Sequence, residues 1–105
     1  MRLSVAKAKV LQAFLEEPAG EQYGFGLIRA TGVKSGSLYP ILDGLQRDGW
    51  IEGREEAIDV HREGRPKRQM YRLTALGERE ARKAVAEFHR ALGPRPAWLP
   101  DYRTP

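Results

Sequence analysis

The sequence predicts a mainly α fold that contains one small β-hairpin (α+β), and three observations support this prediction. Apolar residues recur at three- and four-residue steps in four stretches, which is the spacing of amphipathic helices. Between the last two of these stretches, the pattern changes to short alternating segments that are typical of strands. The second and third helical stretches are joined by only a few residues, so they form a helix-turn-helix unit. With 105 residues, the chain has the length of one domain with a modest core.

The composition excludes several classes of site. The chain has no cysteine, which excludes disulfides, thiolate nucleophiles and cysteine-based zinc sites. His61 and His89 lie far apart without metal-ligand spacing, and no nucleophile–base pair stands out, so we expect neither a cofactor nor an enzyme. No apolar run is long enough for a signal peptide or a membrane span, so we expect a soluble cytoplasmic protein without a membrane partner. The net charge of +4 favours a polyanionic partner, although it can also serve solubility alone.

The first two helices are predicted from apolar spacing and from their ends. The first runs from about residue 4 to 16 or 17, and Ser4 is a suitable cap. The second runs from about Gln22 to Thr31, although Gly24 and Gly26 weaken it because glycine is unfavourable inside a helix. Its candidate core residues are Phe25, Leu27 and Ile28.

The third stretch, Lys34–Asp48, has an apolar back and a polar front. The apolar stripe consists of Leu38, Ile41, Leu42 and Leu45. The residues off this stripe, most of them near the N-terminal end, are Lys34, Ser35, Ser37, Tyr39 and Gln46. Pro40 has no N–H donor and costs little only near a helix start, so we expect the helix to begin between Ser35 and Ser37. Such a helix suits the major groove of DNA, but a core helix capped by serine explains the pattern equally well.

Residues 50–55 and 68–73 read as two short strands, and their position directly after the helix-turn-helix makes them a wing. Four basic residues lie at or near its tip: Arg62, Arg65, Lys67 and Arg68. The stem is acidic and contains Glu52, Glu55, Glu56 and Asp59. We expect the tip to face nucleic acid, where arginine can enter a narrow minor groove, and the stem to lie away from it. Alternatively, the charges only keep an edge strand soluble.

A final helix is predicted from Ala75 to Leu92, with Thr74 as its cap. Its apolar side consists of Leu76, Ala81, Ala84, Val85, Phe88, Ala91 and Leu92. A helix of about 18 residues spans roughly 27 Å, which is more than a small winged unit can cover. We therefore expect a second copy to cover Leu76, Ala84, Val85, Phe88 and Leu92. The alternative is that the helix folds back on the first helix of the same chain.

This order of elements divides the chain into three parts. A winged helix-turn-helix domain occupies residues 1–74, a dimerisation helix 75–92, and a proline-rich tail 93–105. The tail contains apolar side chains that we expect to dock on its own or a partner subunit, namely Trp98, Leu99 and Tyr102.

Two segments of the sequence carry motifs that are similar to those of one known family. The first, Tyr23 to Glu52, reads YGFGLIRATGVKSGSLYPILDGLQRDGWIE and contains the family's Ser-x-x-Leu-Tyr-Pro-x-Leu signature at Ser35 to Leu42. The second, Gly64 to Ala81, reads GRPKRQMYRLTALGEREA and is similar to the family's Gly-Arg-Pro wing followed by Tyr-x-Leu-Thr. These segments resemble the PadR-like family of winged helix-turn-helix transcriptional regulators, and the single helix after the wing resembles the compact branch of that family.

The resemblance implies a repressor that binds double-stranded DNA as a homodimer and reads a palindrome with two recognition helices. It places Lys34, Ser35, Ser37, Tyr39 and Pro40 at the groove, and Arg65, Lys67 and Arg68 at the wing. A winged-helix module that binds proteins without nucleic acid is the alternative from another class. A small aromatic effector in a dimer cleft lined by Trp98 or Phe88 would add to the first interpretation.

Overall fold

Five helices and three short strands make up the described part of the chain, residues 3–94 and 97–98, in this computed structural model. The helices are α1 Val5–Glu16, α2 Gly24–Thr31, α3 Ser35–Arg47, α4 Val60–Glu63 and α5 Ala75–Leu92. The strands are β1 Gln22–Tyr23, β2 Ile51–Glu55 and β3 Gln69–Leu73. They form one antiparallel sheet in the order β1-β3-β2. The predicted α+β winged helix-turn-helix is confirmed.

One hydrophobic core joins the first three helices to the sheet and to α5. Its members share very low exposure and are Val10, Leu11, Phe14, Leu27, Val33, Leu38, Leu42, Leu45, Ile51, Tyr71, Leu73 and Ala81. Helix α1 begins where the sequence indicated, because the Ser4 hydroxyl accepts a hydrogen bond from the Lys7 backbone N–H at 3.1 Å. The core therefore fixes α3 against both α1 and the sheet.

The second helical stretch differs from its prediction at its start. Gln22 and Tyr23 are extended and pair with Tyr71 and Met70, so the helix begins at Gly24. A strand of two residues is too short to produce a recognisable period. The prediction that Phe25 belongs to the core is wrong, because its side chain is 59% exposed. In a helix, Phe25 lies about 200° around the axis from the buried Leu27, so the two side chains cannot share one face.

Helix α3 buries the predicted leucine face but starts without a serine cap. The helix begins at Ser35, within the predicted range, but Lys34 is the N-cap residue and no side chain caps the helix, so neither Ser35 nor Ser37 acts as the cap. Pro40 is consequently the sixth helical residue, further inside than expected. Its missing N–H removes the usual helical donor to the Gly36 carbonyl, and because Gly36 is exposed, water can take that place. The predicted stop is confirmed: Gly49 adopts a left-handed φ of 76° directly after the cap residue Asp48.

The wing contains both predicted strands, paired from Ile51 opposite Leu73 to Glu55 opposite Gln69. Its connector also contains α4, which the sequence analysis did not predict. Four residues are too few to show a helical period, but the Asp59 carboxylate caps the turn by accepting from the His61 and Arg62 N–H groups at 3.0 and 3.4 Å. The cap was visible in the sequence, where it was interpreted as part of an acidic stem.

Helix α5 begins and ends where the sequence predicted, and the Thr74 hydroxyl accepts from the Gly77 N–H at 2.9 Å. A Cβ at Gly77 would overlap the Trp50 carbonyl, so α5 approaches the end of the α3–β2 connection without space for a side chain. The fold-back alternative holds for the helix as far as Val85, because α5 packs on α1, Ala81 is fully buried and Val85 packs against the core. Its end stays uncovered within the described residues, since Leu92 is 68% exposed.

Candidate nucleic-acid interface

The front of α3 projects from the core as one exposed surface. All predicted groove residues on it are exposed: Lys34, Ser35, Ser37, Tyr39 and Pro40. The short connection from α2 is rigid, because the Thr31 hydroxyl donates to the Leu27 carbonyl at 2.6 Å and accepts from the Val33 N–H at 3.1 Å. Gly32 makes the turn with a φ of 74°. The structure therefore leaves all five side chains exposed around the N-terminal half of a fixed helix.

Tyr39 also connects this front to α2. A Cβ at Gly24 would lie 2.9 Å from the Cε1 atom of the Tyr39 ring, closer than carbon atoms approach without contact strain. Gly24 therefore leaves the space into which the ring packs, while the ring remains 45% exposed. The glycine that weakens α2 as a helix thus has a packing reason.

A cleft of about 200 Å³ separates α3 from the wing. Its walls come from β1, the start of α2, α3, and β3 with the residue before it, and they consist of Tyr23, Gly24, Phe25, Tyr39, Arg68, Gln69 and Tyr71. The Arg68 guanidinium lies over the Tyr23 ring, 4.3 Å from its centroid, which is a cation–π arrangement. Below it, burial raises the pKa of the Tyr71 phenol, so this group stays protonated at neutral pH. Arg68 is therefore held at the edge of the cleft beside α3.

The basic tip and the acidic stem of the wing are paired with each other rather than separated. Arg65 Nη1 donates to Glu56 Oε1 at 2.7 Å, and Arg65 Nη2 donates to Glu56 Oε2 at 3.1 Å. Lys67 Nζ lies 3.5 Å from Glu55 Oε1. These hydrogen bonds from Arg65 lower the pKa of Glu56 below its ordinary value. The expectation that acids and bases occupy different ends of the wing is therefore wrong for these two pairs.

Other ion pairs cover the outward face of the sheet. The Arg54 guanidinium binds the Glu21 carboxylate, and Arg72 Nε donates to Glu52 Oε1 at 2.7 Å. In contrast, Lys34, Arg47 and Arg62 have no ion-pair partner within residues 3–94. The sequence analysis did not select Arg47 as a contact, although it lies off the apolar stripe at the exposed end of α3.

The residues predicted for a dimer interface lie along α5 with different exposures. Leu92 and Leu76 are 68% and 40% exposed, whereas Ala84, Val85 and Phe88 are half-buried. Leu76 lies beside Gly49 and is about 120° around the helix from Phe88. Of the apolar residues predicted to dock in the tail, Trp98 is 79% exposed, and Leu99 and Tyr102 lie outside the described residues.

Residues 3–94 and 97–98 contain no group of three or more His, Cys, Asp or Glu side chains that could hold a metal ion. None of the helices there is both long and apolar enough to cross a membrane.

Comparison with known proteins gives one family match and several similar structures. Residues 14–83, two thirds of the chain, match the Transcriptional regulator PadR-like family. A PadR-like transcriptional regulator from Bacillus cereus is 26% identical with a TM-score of 0.63, and the match covers 84% of each chain. A mutant MarR from E. coli is 22% identical with a TM-score of 0.66, over 86% of this chain and 60% of that one. The structure of reduced AbfR bound to DNA is 22% identical with a TM-score of 0.66, over 90% and 61%.

This chain therefore spans about three fifths of the MarR and AbfR chains but most of the Bacillus cereus regulator. MarR and AbfR are each less than 25% identical to this chain, so these two similarities show a shared fold and no more. None of the curated proteins matches the chain.

Proposed function

Because this chain belongs to the PadR-like family of transcriptional regulators, we propose that it is a sequence-specific repressor that binds a palindromic DNA operator as a homodimer. The observation that supports this most directly is the exposed polar front of α3, which the buried leucine face holds in place. The similar fold of reduced AbfR, whose structure was determined bound to DNA, supports the same partner.

In this proposal, α3 lies in the major groove with its N-terminal end foremost. Ser35 and Ser37 offer hydroxyl groups that both donate and accept, so they can bind base edges of either kind. Lys34 has no internal ion pair and lies beside the free N–H groups of the helix start, where a phosphate binds well. The exposed ring of Pro40 offers an apolar contact of the kind that suits a thymine methyl group.

The wing supplies sequence-independent affinity. Lys67 has one long contact with Glu55, and both side chains are well exposed, so a phosphate can replace this partner with little loss. Arg68 lies at the edge of the cleft between α3 and β3, within reach of a strand that runs past α3. Each lysine or arginine that neutralises a phosphate steepens the salt dependence of binding.

The homodimer in this proposal forms through α5. The exposed Leu92 and the half-buried Phe88 lie on one side of its second half and need an apolar partner. A two-fold dimer would use the same side from both copies and would place two α3 helices about one DNA turn apart, roughly 34 Å. Sedimentation should give a dimer that Leu92→Asp weakens, whereas Ala86→Asp, on the opposite side of α5, should not.

The decisive experiment is selection of bound fragments from sheared genomic DNA, followed by sequencing and titration of the enriched site. We expect an inverted repeat with half-sites about 10 base pairs apart, bound at least a hundredfold more tightly than scrambled DNA. Absence of enrichment, with no gel shift at moderate salt, would refute the proposal. It would favour the alternative of a winged-helix module that binds another protein.

We also propose a small aromatic effector, which the strong exposure of Trp98 and the half-buried ring of Phe88 support. The chain has two tryptophans, so Trp50→Phe would leave Trp98 as the sole reporter. Titration of its fluorescence with a broad panel of aromatic compounds should give saturable quenching and a parallel change in DNA affinity. A flat response throughout would remove the effector from the proposal.

A further inference from the structure

Glu56 lies where the two wing strands separate, and one carboxylate there makes three hydrogen bonds. It accepts from both terminal nitrogens of Arg65, at 2.7 and 3.1 Å, and from the backbone N–H of Arg68 at 3.2 Å. The Glu56 N–H in turn donates to the Arg68 carbonyl at 2.8 Å. These contacts close the connector, residues 57–67, at its base. Only 18% of the Glu56 side chain is exposed, so this pair is better shielded than an ordinary surface ion pair.

The Arg65 guanidinium already has its hydrogen-bond partners within the wing. Its fork matches the carboxylate in the two-pronged geometry that arginine also uses for phosphate, and Nη1 donates in addition to the Pro66 carbonyl at 3.2 Å. A phosphate could take the same fork only by displacing Glu56. Arg68 is restrained at two points, since its N–H binds Glu56 and its guanidinium lies over the Tyr23 ring.

We propose that Glu56 is a positioning residue for DNA binding: it holds Arg65 as a strut of the connector and thereby fixes Lys67 and Arg68 where they meet phosphate. This inference rests on the proposed function. It assigns an acidic residue a favourable role in binding a polyanion and removes Arg65 from the direct contacts. Arg65, like Glu56, acts through its neighbours.

The two possible roles of Glu56 predict opposite signs. If Glu56 only repels DNA or competes for Arg65, the isosteric Glu56→Gln should tighten binding, because the protein gains one unit of positive charge. If Glu56 positions the wing, the same change should weaken binding roughly three- to tenfold and reduce the salt slope by about one to two, as one or two phosphate contacts are lost.

Glu55→Gln is the matched control, because it makes the same charge change one residue away. Glu55 is 68% exposed and has one 3.5 Å contact with Lys67, so it does not close the connector. We expect this variant to bind DNA as tightly as the unsubstituted protein or slightly more tightly. Arg65→Lys is a second test: it keeps the charge but loses the fork, so it should weaken binding as Glu56→Gln does.

A measurement without DNA separates this inference from the proposed function. Hydrogen exchange of the free protein should be faster across residues 57–68 in Glu56→Gln and Arg65→Lys, and unchanged in Glu55→Gln. If Glu56→Gln binds DNA at least as tightly as Glu55→Gln, or if its connector exchanges no faster, the positioning role is wrong. If the unsubstituted protein binds no DNA at all, the proposed function fails first, and unaltered exchange would then overturn the strut as well.

Discussion

The front of α3 and the wing hold their polar groups in different ways. On α3, exposed side chains such as Ser37 and Lys34 project from a helix whose other face is locked into the core by Leu38, Leu42 and Leu45. In the wing, several charged side chains are held by one another, with Glu56 and Arg65 as the best-shielded pair. The geometry of the first surface therefore depends on hydrophobic packing, and that of the second on charge-assisted hydrogen bonds.

This difference predicts which property each surface loses first. A change in the buried face of α3 should unfold the domain, so DNA binding and stability would fall together. A change in the connector between β2 and β3 should alter DNA binding while the core stays folded, because the connector contributes no residue to the hydrophobic core.

The largest effect is expected for Leu42→Ala. Leu42 is 1% exposed, and removing most of a buried leucine leaves a cavity that costs about 2–5 kcal/mol of unfolding free energy. Urea denaturation should report this loss, and DNA affinity should fall because less folded protein is present. Its exposed neighbour is the control: Asp43→Ala should change stability by less than about 0.5 kcal/mol. If the Leu42→Ala variant were as stable as the unsubstituted protein, hydrophobic packing would not be what holds α3, and the contrast with the wing would be wrong.

The next largest effect separates the wing from the core. Replacing both Lys67 and Arg68 by alanine should weaken DNA binding about tenfold and lower the salt slope by about two, without a change in the urea midpoint. If the urea midpoint fell together with the DNA affinity, these side chains would stabilise the core, and the contrast between α3 and the wing would be wrong. Adding Arg65→Ala to this pair should reduce the salt slope no further, since Arg65 is bound to Glu56 rather than to phosphate.

The same contrast explains how much the sequence could predict. The spacing of Leu38, Leu42 and Leu45 predicted which face of α3 is buried, because residues at this spacing lie on one side of a helix. Glu56 and Arg65 are nine residues apart and are joined by an irregular connector, so no periodic pattern in the sequence predicts their contact. The charge run in the wing was visible, but its pairing depends on a backbone path that composition does not specify.

Two short elements and the cap residue of α3 were missed for a related reason. β1 has two residues and α4 has four, which is below the length at which either period can be recognised. Ser35 looked like a cap, but the residue with extended backbone before α3 is Lys34, which has no capping side chain. The family resemblance indicated which segments are expected to contact DNA, but not the internal partners of their side chains.

A smaller effect is expected where α2 meets the front of α3. Gly24→Ala should displace the Tyr39 ring and destabilise the protein by about 1–2 kcal/mol, because a methyl group would occupy the space that the ring fills. The same change in a Tyr39→Ala background should cost little, since the obstacle is gone, and a double-mutant cycle in urea measures the difference. Additive free energies would mean that Tyr39 is not held by this contact, and the front of α3 would be less fixed than the comparison assumes.

The smallest effect is a pH dependence confined to the wing. Hydrogen bonds from Arg65 lower the pKa of Glu56 in the folded protein below the value of about 4.3 for an unfolded chain. A group with this direction of shift stabilises the ordered connector above the unfolded pKa, and the contribution is lost as pH falls through the lower folded value. After correction for intrinsic rates, exchange across residues 57–68 should therefore be constant from pH 7 to about 5 and rise only as the pH falls below the unfolded pKa.

This pH prediction has two controls, the Leu42 amide in the core and the Glu56→Gln variant. The Leu42 amide should stay protected over the same range, because its protection depends on packing rather than on a carboxylate. Glu56→Gln has no group to titrate at this position, so its connector should exchange rapidly at every pH. If the connector and the Leu42 amide lost protection at one common pH, the wing would be stabilised by the same interactions as α3, and the distinction between the two surfaces would be wrong.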